Sequence, residues 1–327
     1  MKKVNVAVVG ATGVVGSKIV EVLEERDFPV NEFHPMASAK SAGGSIKFKG
    51  KDYVVEELNE KSFENSGIDI ALFAAGGDVS EKYVPLAVKN GVRVVDNSSF
   101  YRMEEGVPLV IPEVNPDAIK DDDMIIANPN CSTIQSVVAL KPLYDKYGIK
   151  RIVYNTYQAV SGAGMKGLND LKEGTTNKFK YPIKNNVLAQ IDVFLDNGYT
   201  KEEMKMVNET RKILGDDSLR ITCTAVRVPV ENSHAISINV ELEKEFEVED
   251  LIETLRAGKN IIIEDDIKNE VYPIPERASG TDEVYIGRIR RDESIDNGVN
   301  IWVVADNIRK GAATNAVENA ELLLEED

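Results

Sequence analysis

Metal-binding and disulfide-forming side chains are scarce in this chain, with two cysteines and two histidines among 327 residues. Cys131 and Cys223 lie far apart and match no zinc spacing, and His34 and His234 add no cluster, so no metal site is expected. Reduced thiols in a cytoplasmic protein are the plain expectation. Basic charge is also short: 39 Lys and Arg stand against 55 Asp and Glu, a net charge of −16. That balance argues against a nucleic-acid partner, which needs a basic face. No apolar run approaches the roughly 18–20 residues of a membrane span. Met1-Lys2-Lys3 leads directly into the strand-like Val4-Asn5-Val6-Ala7-Val8-Val9, so no signal peptide is expected either. Internal repeats and low-complexity tracts are lacking, and the length suggests two domains.

The first half alternates strand and helix patterns. After the opening strand comes Gly10-Ala11-Thr12-Gly13-Val14-Val15-Gly16 and an amphipathic stretch. Strand, glycine turn and helix together suit a pyrophosphate resting on backbone N–H groups at a helix start. The spacing is G-x-x-G-x-x-G and not the standard dinucleotide fingerprint, so a ligand-free tight turn is the competing reading. Where the second strand ends, an NAD site would place Asp or Glu against the ribose 2′-hydroxyl. Here the chain places Ser38, Lys40 and Ser41, whose hydroxyls and ammonium suit a 2′-phosphate, so NADP is expected. Further strands at residues 68–75 and 92–96 end in Gly76-Gly77-Asp78 and Asn97-Ser98-Ser99. Gly76 would allow close approach of a cofactor; Asn97 reads equally well as a ligand or as ordinary turn chemistry. Arg102 is either a solvated charge or a grip for phosphate or carboxylate.

Between the halves lies Asn128-Pro129-Asn130-Cys131-Ser132-Thr133, after an apolar run and before a helical pattern. Cys131 therefore falls at a helix start, where unpaired N–H groups and the positive dipole end favour thiolate over thiol. A nucleophile and a small buried hydrophobe are both open on this stretch alone. Beyond residue 149 the pattern is richer in strands and predicts an α+β domain. Residues 171–196 read as loop and short helix, with subunit contact as one use. A last helix at 312–324 should return to the first domain. Glu202 and Lys205 share a helix face at a spacing of three, and Glu209 and Lys212 repeat it two turns on, so spacing cannot rank the pairs. His234 follows Arg227 across a strand turn, and Cys223, mid-strand, reads as buried and inert.

At this point the chain resembles the aspartate-β-semialdehyde dehydrogenases over essentially its full length, nearer their Gram-positive form. The matching stretches include Gly10 to Gly16, Ser38 to Gly43, Asn128 to Thr133, Tyr157 to Gly164, Glu202 to Lys205, Arg227 to His234 and Gly311-Ala312-Ala313. The resemblance implies an α/β chain with an N-terminal Rossmann-type dinucleotide-binding domain and an α+β catalytic and dimerisation domain. The boundaries implied are 1–128 plus 309–327 for the first and 129–308 for the second. It makes Cys131 the nucleophile, His234 its acid–base partner and Gln158 the group orienting the covalent intermediate. Substrate contacts fall on Asn130, Glu202 and Arg227, with phosphate on Arg102 and Lys205, which leaves Glu209 and Lys212 as bystanders. Cofactor contacts fall on Gly10, Thr12, Gly13, Val14 and Val15, then on Ser38, Lys40, Ser41, Gly76 and Asn97. In the second half they fall on Ser161, Gly162, Asn307 and Gly311.

The activity so implied is NADPH-dependent reductive dephosphorylation of 4-phospho-L-aspartate through a Cys131 thioester. Partners are the small substrate and inorganic phosphate, with a homodimer or a dimer of dimers. Two departures stand out: Ser233 where many relatives have Gly, and Lys40 where many carry Arg. N-acetyl-γ-glutamyl-phosphate reductase is the nearest rival, though its substrate lacks the free α-ammonium that a carboxylate at Glu202 would receive. A non-catalytic NADP-binding redox sensor is a rival of another class.

Overall fold

Short apolar strands followed by glycine turns give the first compact unit, which runs to Pro129 and resumes at Ala312. The computed structural model describes residues 3–325. Strand β1 (Val4–Val9) enters helix α1 (Val14–Glu25) through Gly10, whose φ of +84° favours glycine. Next come β2 (Val30–Ala37), the hairpin β3 (Ser45–Phe48) and β4 (Lys51–Val54), and β5 (Glu56–Glu57). Then β6 (Ile70–Phe73), α2 (Gly77–Lys89), β7 (Arg93–Asp96) and β8 (Ile125–Ala127) complete the unit's sheet. The strands lie in the order β5-β2-β1-β6-β7-β8, and every pairing is parallel. Strand order reverses between β1 and β6, and at such a switch point the carboxyl ends leave a ligand crevice. Gly10 to Gly16 and Gly76 sit at those two ends.

The β3–β4 hairpin was not expected from the sequence. Lys49 and Gly50, both at positive φ, make its two-residue turn, and Phe48 packs against Phe33 and Tyr53. The last helix, α8 (Thr314–Glu325), follows a π-helical turn at Arg309–Ala313. Its Ala316, Val317, Ala320 and Leu323 join the apolar cluster of Val6, Val8, Ile19 and Leu23, so the chain does return to the first unit.

The second unit spans Asn130–Gly311. Its helices are α3 (Cys131–Tyr147), α4 (Gly164–Glu173), α5 (Lys201–Leu214), α6 (Val248–Arg256) and the short α7 (Pro275–Ala278). Its strands are β9 (Ile149–Gln158), β10 (Arg220–Arg227), β11 (His234–Leu242), β12 (Ile261–Ile263), β13 (Val284–Asp292) and β14 (Gly298–Ala305). They form one mixed sheet, β10-β9-β11-β14-β13-β12, in which β9–β10 and β12–β13 are parallel and the other pairs antiparallel. Gln158 pairs with Arg227, and Ala235 with Tyr157, so the end of β9, the end of β10 and the start of β11 meet at one edge of the sheet. Between α4 and α5 the chain is irregular, tied by isolated bridges at Leu188–Arg227 and Phe194–Thr200. Among the described residues no helix is long and apolar enough to cross a membrane.

Candidate active site

Cys131 is the first residue of α3, and Asn130 is its N-cap. The Asn130 side-chain oxygen accepts from the N–H groups of Ser132 at 3.0 Å and Thr133 at 3.3 Å. A cap of this kind is worth about 1 kcal/mol. Its amide nitrogen donates to Glu202 Oε1 at 2.9 Å, and its backbone N–H donates to Glu209 Oε2 at 2.7 Å. The nucleophile candidate thus stands on a loop held from two positions of α5. Gly311 closes the other side: a Cβ there would lie 2.9 Å from Cys131 Cβ. Any side chain at 311 would push on the thiol-bearing carbon.

Glu202 is buried and fully engaged. Its Oε1 also accepts from Gln158 Nε2 at 3.2 Å, and its Oε2 accepts from Lys205 Nζ at 3.1 Å. Burial raises the carboxyl's pKa, but the Lys205 charge and the bonds from Asn130, Gln158 and Lys205 outweigh it and hold the group below the ordinary range. Glu202 is therefore an anion at neutral pH, suited to a cationic group.

Arg227 and His234 meet at Ala159. Arg227 Nη1 donates to the Ala159 carbonyl at 2.6 Å, and the Ala159 N–H donates to His234 Nδ1 at 3.0 Å. With Nδ1 accepting, the neutral ring carries its proton on Nε2, which is buried and without a partner. Burial, and then the Arg227 charge, hold the imidazole well below its ordinary pKa. Gly162 leaves room in front of both groups, since a Cβ there would come within 3.2 Å of Arg227 Nη1 and 3.3 Å of His234 Nε2. Burial also lowers the Arg227 pKa, while the charges of Glu202 and of a Cys131 thiolate act against that, so all three lie within electrostatic reach.

Ser161 and Asn307, expected at the cofactor, hydrogen-bond each other, and Asn307 Oδ1 accepts the Ser233 N–H at 2.9 Å. They brace the turn before His234. Ser233 there has φ +70° and is fully buried, a conformation that suits the glycine of many relatives better. Cys223 is buried mid-strand; burial, then the Glu203 and Glu202 charges, push its thiol far above the ordinary range and leave it inert.

One expectation is corrected here. Glu209 is no bystander: it is 1% exposed, and its carboxylate holds the Asn130 N–H. Residues 202 and 209 are two helical turns apart and so share a face, but an acidic pair on a charged helix gives no sign of burial in sequence. Glu203 was missed for the same reason. It closes a capping box with Thr200 and accepts the Ala225 N–H at 2.9 Å, tying α5 to β10.

In the first unit, α1 begins after Gly13 with no side-chain cap, the kind of helix start that can take an anion on its first-turn N–H groups. A Cβ at Gly16 would lie 2.1 Å from the Gly10 carbonyl oxygen, and one at Gly10 2.7 Å from that of Ala74. These two glycines serve backbone packing, and a Cβ at Gly13 would also press on the Gly10 carbonyl oxygen at 3.3 Å, whereas one at Gly76 would meet open space. Ser38 and Lys40 are exposed on a turn beyond β2, with Ser41 partly so. Asn97 Nδ2 donates to the Phe73 carbonyl at 3.0 Å, and its Oδ1 accepts from Asn128 Nδ2 at 2.9 Å. Arg102 is anchored by the carbonyls of Asn128 and Asn97, both at 2.9 Å.

Residues 5–122 match the family model "Semialdehyde dehydrogenase, NAD binding domain", and residues 140–310 match "Semialdehyde dehydrogenase, dimerisation domain". The chain is 54% identical to the aspartate-semialdehyde dehydrogenase of Aquifex aeolicus, over 98% of both chains. A crystal structure of aspartate semialdehyde dehydrogenase II complexed with ASA from Vibrio cholerae is similar at TM-score 0.95 and 47% identity, covering 100% of this chain and 99% of that one. The Candida albicans enzyme with NADP is similar at TM-score 0.78 and 28% identity, over 99% of each.

Proposed function

This chain belongs to the aspartate-semialdehyde dehydrogenase family, and from that premise we propose how its residues carry the family's reaction. The activity is the reversible, NADPH-dependent reductive dephosphorylation of 4-phospho-L-aspartate to L-aspartate 4-semialdehyde, a step toward lysine, threonine, methionine and isoleucine. The Cys131 thiolate attacks the acyl-phosphate carbon, the bond to the phosphate oxygen breaks, and phosphate leaves a thioester on sulfur. The turn from Gly10 through Thr12, Gly13, Val14 and Val15, with Gly76, would hold NADPH, and Ser38, Lys40 and Ser41 would take its 2′-phosphate; the bound cofactor would supply the hydride. Collapse of the resulting thiohemiacetal returns the thiolate and releases the aldehyde.

His234 serves both tetrahedral states by donating its Nε2–H to the oxyanion. Glu202 takes the substrate α-ammonium and Arg227 its α-carboxylate. Gln158 orients the acyl group, and Arg102 and Lys205 receive the phosphate. The observation that carries this reading is the single network running from the Cys131 cap through Glu202 to Gln158 and Lys205. A buried carboxylate held anionic favours a substrate with a free α-ammonium over the N-acylated rival. The dimerisation-domain match supports a homodimer, and a cytoplasmic location and a place near the Gram-positive form belong to the same reading.

The test is NADPH formation from semialdehyde, phosphate and NADP. Cys131→Ala should lower turnover by roughly 10⁴-fold or more while NADP binding persists. A folded Cys131→Ala protein that still turns over at a tenth of the wild-type rate would end the thioester assignment.

A further inference from the structure

Lys205 is neutralised by carboxylates of this chain itself. Its Nζ lies 3.1 Å from Glu202 Oε2 and 3.0 Å from Asp192 Oδ2, so two carboxylates share one ammonium. An incoming phosphate brings more negative charge to the same atom, and its repulsion works against keeping both carboxylates there. Glu202 is held on its other oxygen by Asn130 and Gln158 and is 5% exposed. Asp192 is placed differently. It sits in the irregular chain between α4 and α5 at φ +69°, with a side chain 33% exposed and its other oxygen on the Val193 N–H at 2.9 Å. Its bond to Lys205 can open without disturbing the cap of α3.

We propose that Asp192 is a positioning residue that stands in for the substrate's phosphate on Lys205 and is displaced when a phosphate or acyl-phosphate oxyanion arrives. It keeps Lys205 aimed at the site between turnovers and competes with every oxyanion that enters, which sets the affinity for phosphate and leaves the amino-acid end of the substrate alone. The pairing also lowers the Asp192 carboxyl's pKa against the opposing effect of its partial burial, so the competitor stays charged at neutral pH. The inference rests on the reading of Lys205 as a phosphate ligand.

The experiment measures KM for inorganic phosphate and for semialdehyde in the oxidative direction. Asp192→Asn should lower the phosphate KM roughly three- to fivefold, the scale of a partly exposed ion pair, with the semialdehyde KM moving less than twofold. Asp192→Glu, which restores the charge, should return the phosphate KM toward wild type. An unchanged or raised phosphate KM in a folded Asp192→Asn enzyme overturns the proposal, as does an equal shift in both KM values. Lys205→Ala separates the two layers. If it leaves the phosphate KM unchanged, the Lys205 assignment itself fails; if it raises that KM while Asp192→Asn has no effect, only the competitor fails.

Discussion

Two helix starts in this molecule use the same physics to opposite ends. Helix α1 opens after Gly13 with no side-chain cap, while α3 opens after Asn130, whose side chain closes on two of its N–H groups. The dipole of an open start is available to an anion from outside, a place for the cofactor's pyrophosphate under the proposed function. A closed start turns the same field on its own first residue, here the Cys131 sulfur. The first unit therefore needs glycine and little else at its turn. The second needs a buried polar network, because the cap must be held and its polar atoms satisfied.

The comparison breaks most heavily at Gly16. In Gly16→Ala the new carbon would meet the Gly10 carbonyl at 2.1 Å. The expected loss is about 3 kcal/mol or more, at the upper end of overpacking costs, read by urea unfolding. The second effect is one of pH and belongs to the buried His234 of the second unit. His234 has a folded pKa below its unfolded value. Its contribution is therefore full above the unfolded pKa of about 6.5 and is lost as pH falls toward the folded pKa, at about 1.4 kcal/mol per pH unit. His234→Asn should flatten that slope below about pH 6.5 in unfolding curves; an unaltered slope would place the acid response elsewhere.

Asn130→Ala comes next. It removes the cap and one Glu202 partner, for an expected loss of about 1–2 kcal/mol, and it should slow iodoacetamide labelling of Cys131 at neutral pH. Labelling as fast as wild type would show that the thiolate does not depend on the cap. The smallest effect tests the other start. Gly13→Ser would close α1 as Asn130 closes α3; φ −82° accepts a side chain, and the Gly10 carbonyl oxygen, 3.3 Å from the new Cβ, need shift only slightly. Stability should change by only a few tenths of a kcal/mol, while the KM for NADPH should rise several-fold. A gain in stability with unchanged KM would mean that the cofactor does not use this helix start.

How much of this could be read from the sequence follows the same division. The open start is local chemistry, and its strand, glycines and helix all lie within residues 4–25, so its pattern was legible. Cys131 at a helix start was legible too, through Pro129 and the apolar residues after it. The network was not. Asn130 meets residues 72 and 79 positions away, and no spacing rule reaches that far. Strand β13 escaped for a different reason: its alternation is broken by a register shift between Gly287 and Arg290, with Arg288 at φ +52°. The region of Asp192 has no periodicity, and its form depends on bridges to β10 and α5.

The reach of those bonds also orders events in time. A ribosome that has just made Asn130 and Cys131 has not yet made Glu202 or Glu209, the carboxylates that hold the loop before the thiol. During synthesis Cys131 is an ordinary cysteine on an unfinished chain, and its reactivity arrives with α5. The loop that carries the thiol therefore completes its hydrogen bonds only after α5 has been made.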